Sequence, residues 1–121
     1  MAKKILIVDD SKAIRQSIRF VLEQNEYQVL DAEDGLDALE KLENGTVDLI
    51  ITDVNMPNMN GIELIQEVRG KDAFKFVPIL VLTTESQNSV MEKGKAAGAT
   101  GWIVKPFSTD KLLAAVRKVV G

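Results

Sequence analysis

Three carboxylates and one lysine in this chain stand where apolar runs end. Asp9 and Asp10 close Lys4-Ile5-Leu6-Ile7-Val8-Asp9-Asp10, Asp53 closes Leu49-Ile50-Ile51-Thr52-Asp53, and Lys105 closes Trp102-Ile103-Val104-Lys105 ahead of Pro106. Each run reads as a buried strand with its polar group at the C-terminal end. In an open parallel sheet those ends line one edge, where ligands bind. Three acids brought close repel one another unless a cation joins them. The pattern therefore predicts a divalent-metal site with a lysine across from it. The chain has no histidine, which removes the usual general base, the usual zinc ligand and any histidine phosphoryl carrier. Chemistry is left to carboxylates, hydroxyls, lysine and a metal.

Each of these residues also has a plainer reading. Asp9 and Asp10 suit the cap of a helix that follows them, since Asp is a good N-cap. Asp53 is also an ordinary polar strand end before the turn Met56-Pro57-Asn58. As a nucleophile, a carboxylate is weak, but it attacks phosphorus when the phosphoryl group is positioned and its charge neutralised. Lys105 reads as a surface lysine held by the bend at Pro106, although a lysine after a buried run wants a partner. Thr83 and Thr84 suit helix-capping hydroxyls, and Trp102 suits core filling.

The elements that must position these residues are legible as alternating patterns. Apolar runs over residues 5–8, 29–32, 49–52, 78–82 and 102–104 read as strands. Between and after them, residues 11–24, 36–42, 62–68, 89–97 and 110–120 read as helices, with Asn44-Gly45 ending the second and Asn60-Gly61 opening the third. Continuous apolar strands imply burial on both faces of a parallel sheet. Right-handed crossovers leave few topologies. The expected fold is α/β, a (βα)5 flavodoxin-like doubly wound parallel sheet with strand order 2-1-3-4-5, which makes Asp9, Asp10 and Asp53 neighbours. Gly94 weakens the fourth helix, because glycine inside a helix costs about 1 kcal/mol relative to alanine. That helix is expected to be among the least stable elements.

Bulk properties set the outer limits. The 121 residues suit a single domain over 1–121, and 45% hydrophobic content is enough for a core. A net charge of −3 is too mild to imply a nucleic-acid partner. There is no cysteine, so no disulfide and no thiolate chemistry. No apolar run approaches the ~20 residues of a membrane span, and the N-terminus lacks a signal-peptide stretch. The expectation is a cytoplasmic chain with no membrane partner.

In order along the chain stand Ile-Val-Asp9-Asp10, then Asp53-Val54-Asn55-Met56-Pro57 through Gly61, then Thr83-Thr84-Glu85, then Lys105-Pro106-Phe107. Together these motifs resemble the receiver domain of two-component response regulators, over the whole chain. The nearest resemblance is to stand-alone chemotaxis regulators of the CheY type, without an output domain. The resemblance implies a phosphorylation-activated switch rather than an enzyme with a separate substrate. It makes Asp53 the acceptor of a phosphoryl group from the phosphohistidine of a histidine kinase. It implies Mg²⁺ held directly by Asp10, Asp53 and the Asn55 carbonyl, with Asp9 acting mainly through water. Lys105 and the Thr83 hydroxyl would contact the phosphoryl group, and the chain would catalyse its own phosphorylation and dephosphorylation. Thr83 and Thr84 would belong to a switch in which Trp102 turns inward, where the family commonly has tyrosine. The family also has a cis bond before the proline.

The resemblance further implies a monomer whose fourth helix, fifth strand and fifth helix form the face for a protein target. The flagellar motor switch and a phosphatase are among the partners it suggests, although motor-binding relatives carry lysines where this chain has Asn88 and Ala115. Asn55 and Glu85 would tune dephosphorylation, as in fast-resetting chemotaxis regulators. Two alternatives remain at this point. One is a phosphorelay shuttle receiver. The other is a metal-dependent phosphohydrolase of the haloacid-dehalogenase type, disfavoured because the acid–base position two residues after the nucleophile holds Asn55.

Overall fold

The computed structural model describes residues 2–84 and 88–120. Five strands, β1 (Lys4–Val8), β2 (Gln28–Ala32), β3 (Leu49–Asp53), β4 (Ile79–Thr83) and β5 (Gly101–Val104), alternate with five helices. The helices are α1 (Lys12–Gln24), α2 (Gly35–Glu43), α3 (Gly61–Arg69), α4 (Asn88–Ala97) and α5 (Thr109–Val120). Every strand pairing is parallel, in the order β2-β1-β3-β4-β5 that the sequence predicts.

The unbroken apolar strands follow from the two helical layers. Successive strand side chains point to opposite faces. Ile5 and Ile7 of β1 pack with Ile18 and Leu22 of α1 and with Leu112 and Val116 of α5. Leu6 and Val8 point the other way, to Ala38 and Leu42 of α2 and Leu64, Ile65 and Val68 of α3. Both faces are core, so neither strand parity can be polar.

Every expected element lies within one residue of its predicted bounds, and some of the departures have a local reason. β4 begins at Ile79 rather than Pro78: a proline has no N–H to give a ladder, and Pro78 instead accepts the Ile50 N–H at 3.0 Å. The same strand runs on to Thr83, which is buried. An unexpected 3-10 turn over Asp72–Phe74 buries Phe74. Three residues are too few to show a period, and the carbonyls of Phe74 and Lys75 accept from the Arg69 guanidinium, a contact that residue spacing does not reveal. Among the described residues no helix is long and apolar enough to cross a membrane.

Candidate functional site

Strand register carries the acids to one edge. Val8 of β1 lies opposite Thr52 of β3, so Asp9 and Asp53 leave the sheet side by side. Asp53 in turn lies opposite Leu82, and Thr83 opposite Val104, which aligns the exits of β4 and β5 with the acids. One ligand oxygen from each of Asp9, Asp10 and Asp53 lies within 4.8 Å of the others. Lys105 Nζ stands 3.2 Å from Asp9 Oδ2 and 3.6 Å from Asp53 Oδ2. The lysine is thus shared by two carboxylates and sits nearer Asp9. All three candidate ligands are carboxylate oxygens, the donor set of a hard cation such as Mg²⁺ or Ca²⁺ rather than zinc.

Capping does not explain Asp9 and Asp10, because Ser11 caps α1 by accepting the Ile14 N–H at 3.3 Å. Asp9 is almost wholly buried, at 1% exposure, whereas Asp10 is exposed. A buried carboxylate needs partners, and Asp9 has the Ser11 N–H at 2.9 Å as well as Lys105. Asp53 Oδ1 accepts the Val54 N–H at 2.8 Å, while Oδ2 faces Lys105. Burial pushes the Asp53 carboxyl above its ordinary range, since a less polar surrounding disfavours charge. The Lys105 ammonium pulls it back, and the charges of Asp9 and Asp10 add to the rise.

The loop after Asp53 is held from behind. The Gly61 N–H donates to the Val54 carbonyl at 2.9 Å, and a Cβ at Gly61 would lie 2.1 Å from the Asp53 carbonyl oxygen. Only glycine permits that approach. Sequence reading singled out Gly61 as a motif residue but missed Asn58 and Asp34. Asn58 adopts φ 67 and donates from Nδ2 to Asp34 Oδ2 at 2.8 Å, tying the loop to the start of α2. Asp34 also caps α2 through the Asp37 N–H, and this bond, then Asn58, holds its carboxyl below the usual range. The signal for Asn58 was its place in a Pro-Asn turn, because Asn tolerates the left-handed region. Nothing in the sequence paired it with Asp34.

The remaining expected residues line the β4 and β5 side. Thr83 ends β4 rather than following it, and its carbonyl accepts the Lys105 N–H at 2.6 Å. Thr84 and Asn55 are exposed. The Lys105-Pro106 peptide is cis. Trp102 is half-buried against the α2–α3 side of the core and borders a cavity of about 330 Å³ with Lys105, Lys111 and Ala115. Glu85 lies outside the described residues, as does the side chain of Asn88.

Comparison with known proteins matches residues 5–117 to the response regulator receiver domain. The chain is 41% identical over 120 residues to the chemotaxis protein CheY1 of Helicobacter pylori, covering 98% of this chain and 97% of that one. In three dimensions it is similar to the chemotaxis response regulator CheY4 of Vibrio cholerae, with a TM-score of 0.95 and 46% identity over 98% of this chain and 99% of that one. It is also similar to the receiver domain of a sensor histidine kinase from Pseudomonas aeruginosa that has a magnesium ion coordinated in its active-site cleft. That likeness has a TM-score of 0.92 and 26% identity, over 100% of this chain and 99% of the other.

Proposed function

We propose that this chain, which belongs to the response regulator receiver family and is a phosphorylation-dependent switch of two-component signalling, takes its phosphoryl group on Asp53 in a chemotaxis pathway. The donor would be a phosphohistidine on a histidine kinase, because this chain has no histidine of its own. In the transfer the P–N bond of the donor breaks, its electron pair leaves with the imidazole, and a P–O bond forms at Asp53. The observation that carries this reading is a shared lysine beside three acids: Lys105 Nζ within 3.6 Å of Asp53 and 3.2 Å of Asp9.

Asp10 and Asp53, with Asp9 behind them, would hold Mg²⁺, together with the Asn55 carbonyl. Bound there, the ion supplies positive charge against the phosphoryl oxygens. The chain's own residues do the rest. Lys105 balances the acids at rest and would follow a phosphoryl oxygen afterwards, a charge-assisted contact. The Val54 N–H orients the acceptor by holding Oδ1. Thr83, joined through its carbonyl to the Lys105 N–H, would carry the change toward Trp102 and the face of α4, β5 and α5. A target there, such as the flagellar motor switch, would read it. The change is a population shift limited by the difference in contacts between the two states. Asn55 and Glu85 would govern the reset, with self-dephosphorylation on the order of seconds to a few minutes. One decade in that rate corresponds to about 1.4 kcal/mol of barrier. A working site of this kind is expected in the cytoplasm.

Acetyl phosphate with Mg²⁺ should add one base-labile phosphoryl group by intact mass, and Asp53→Asn should abolish it. Full labelling of Asp53→Asn would overturn the acceptor assignment.

A further inference from the structure

Arg15 sits at the fourth position of α1, a helix whose first turn holds no acidic residue. A cation near a helix N-terminus opposes the helix dipole, so its place there calls for a compensating contact. The side chain is only 16% exposed. Its Nη1 donates to the Asp9 carbonyl oxygen at 2.6 Å, and its Nε lies 3.7 Å from Asp31 Oδ2 on β2. Arg19 Nη1 reaches the same Asp31 oxygen at 3.6 Å, which braces the arrangement from the next turn.

Asp9 is thereby held at four polar atoms. Its N–H donates to the Ala32 carbonyl at 3.1 Å, its two carboxylate oxygens take Ser11 and Lys105, and its carbonyl takes Arg15. Asp10 differs: it is exposed, and among the described residues no donor reaches its carboxylate. Its direction depends on its backbone. The peptide joining Asp9 to Asp10 is planar, so anchoring the Asp9 carbonyl sets the orientation at which the Asp10 Cα leaves it.

We propose that Arg15 is a positioning residue of the acidic site, whose hold on the Asp9 carbonyl sets where the Asp10 carboxylate stands for sharing a cation with Asp53. This rests on the metal-binding reading above. Groups that orient metal ligands from behind are worth about 10- to 100-fold in metal affinity. The positive charge of Arg15, taken alone, acts the opposite way, because it repels a bound cation. Pinning and charge therefore predict opposite signs.

The test is Mg²⁺ affinity by calorimetry on the full chain, with wild type, Arg15→Met, Arg15→Lys and Asp31→Asn compared at matched fold by circular dichroism. Arg15→Met should weaken binding about tenfold. Arg15→Lys, which keeps the charge but loses the planar fork, should also weaken it. Asp31→Asn, which leaves Arg15 in place without its brace, should shift affinity the same way by less. Phosphorylation by acetyl phosphate should be slow in Arg15→Met at low Mg²⁺ and recover at saturating Mg²⁺. Unchanged or tighter binding in Arg15→Met, or a rate deficit that persists at saturation, overturns the positioning role. Asp10→Ala separates the two levels. If it weakens Mg²⁺ binding and Arg15→Met does not, the positioning role alone fails; if it also leaves affinity unchanged, the metal reading fails with it.

Discussion

α3 and α4 are neighbours of similar length packed over the same side of the sheet, yet they are built to different standards. α3 opens with a full capping box, in which Asn60 accepts the Glu63 N–H at 2.9 Å and Glu63 accepts the Asn60 N–H at 3.1 Å. It buries Leu64, Ile65 and Val68 completely or nearly so. Among the described residues of α4, the one buried position is Gly94, with Met91 and Ala97 half-buried. Its C-terminal end is closed by the Gly98 and Ala99 N–H groups on the Gly94 carbonyl. The helix that follows the Asp53 loop is therefore anchored by large buried side chains, whereas the described side chains of the helix that follows the Thr83 strand include no fully buried large one. On the function proposed above, stiffness beside Asp53 and compliance on the face offered to a target would suit a switch, since mobile elements are drawn from the low-stability end.

The largest expected effect breaks that contrast from the rigid side. Leu64→Ala should cost about 2–5 kcal/mol, the range for emptying a filled core site. Met91→Ala on α4 should cost about 1 kcal/mol or less, as a change outside the core. Urea denaturation of the two variants measures the difference, and equal losses would show that α4 is as firmly anchored as α3.

A smaller change should narrow the contrast from the other side. A Cβ at Gly94 would meet Ile62 Cδ1 at 3.7 Å, Ala99 Cβ at 3.8 Å and Val81 Cγ2 at 4.0 Å, all ordinary contacts. Gly94→Ala should therefore stabilise the chain by about 0.5–1 kcal/mol. Hydrogen exchange should show α4 amides opening more readily than α3 amides in the wild type, and the gap shrinking in the variant. A loss of stability in Gly94→Ala would mean that the space beside α4 is tighter than it looks.

The last test reads a sign rather than a size. The Asp53 carboxyl is raised above its ordinary value of 3.8 in the fold. Between that value and the raised one, the folded state binds more protons than the unfolded state. Stability therefore falls as pH rises through this window and stays lower above it. Asp53→Asn removes the charge, so in Mg²⁺-free buffer it should melt higher than wild type at neutral pH. The advantage should vanish below pH 3.8, where both are uncharged. Mg²⁺ should reverse the order by stabilising the wild type alone. A variant that melts lower at neutral pH without metal would show that Asp53 is stabilised by Lys105 more than it is penalised by burial.

How much of this was legible beforehand differs between fold and site. The alternation of apolar runs with helical stripes specified ten elements, and burial on both faces with crossover handedness left few strand orders, of which the expected one is observed. Those are short-range patterns, set by periods of 2 and 3.6 residues that any window of the chain displays. The edge at which Asp9, Asp10, Asp53 and Lys105 meet followed from the same logic, because strand ends in a parallel sheet share an edge. The short turn that buries Phe74 did not follow, since it depends on Arg69 reaching carbonyls that no period marks.

What tertiary structure alone decided is which atoms touch. The sequence placed Lys105 across from the acids, but only packing put its ammonium nearer Asp9 than Asp53. It left Asp9 and Asp10 open as a cap or as ligands; only the Ser11 contact assigned the cap elsewhere. Arg15 and Asp34 carried no visible mark, and Asn58 only its place in a turn, because each acts through a partner on another element or through a backbone carbonyl. Periodicity records which way a side chain faces. A hydrogen bond within 3 Å depends on the register and separation of two elements, and these are settled only when the whole core packs.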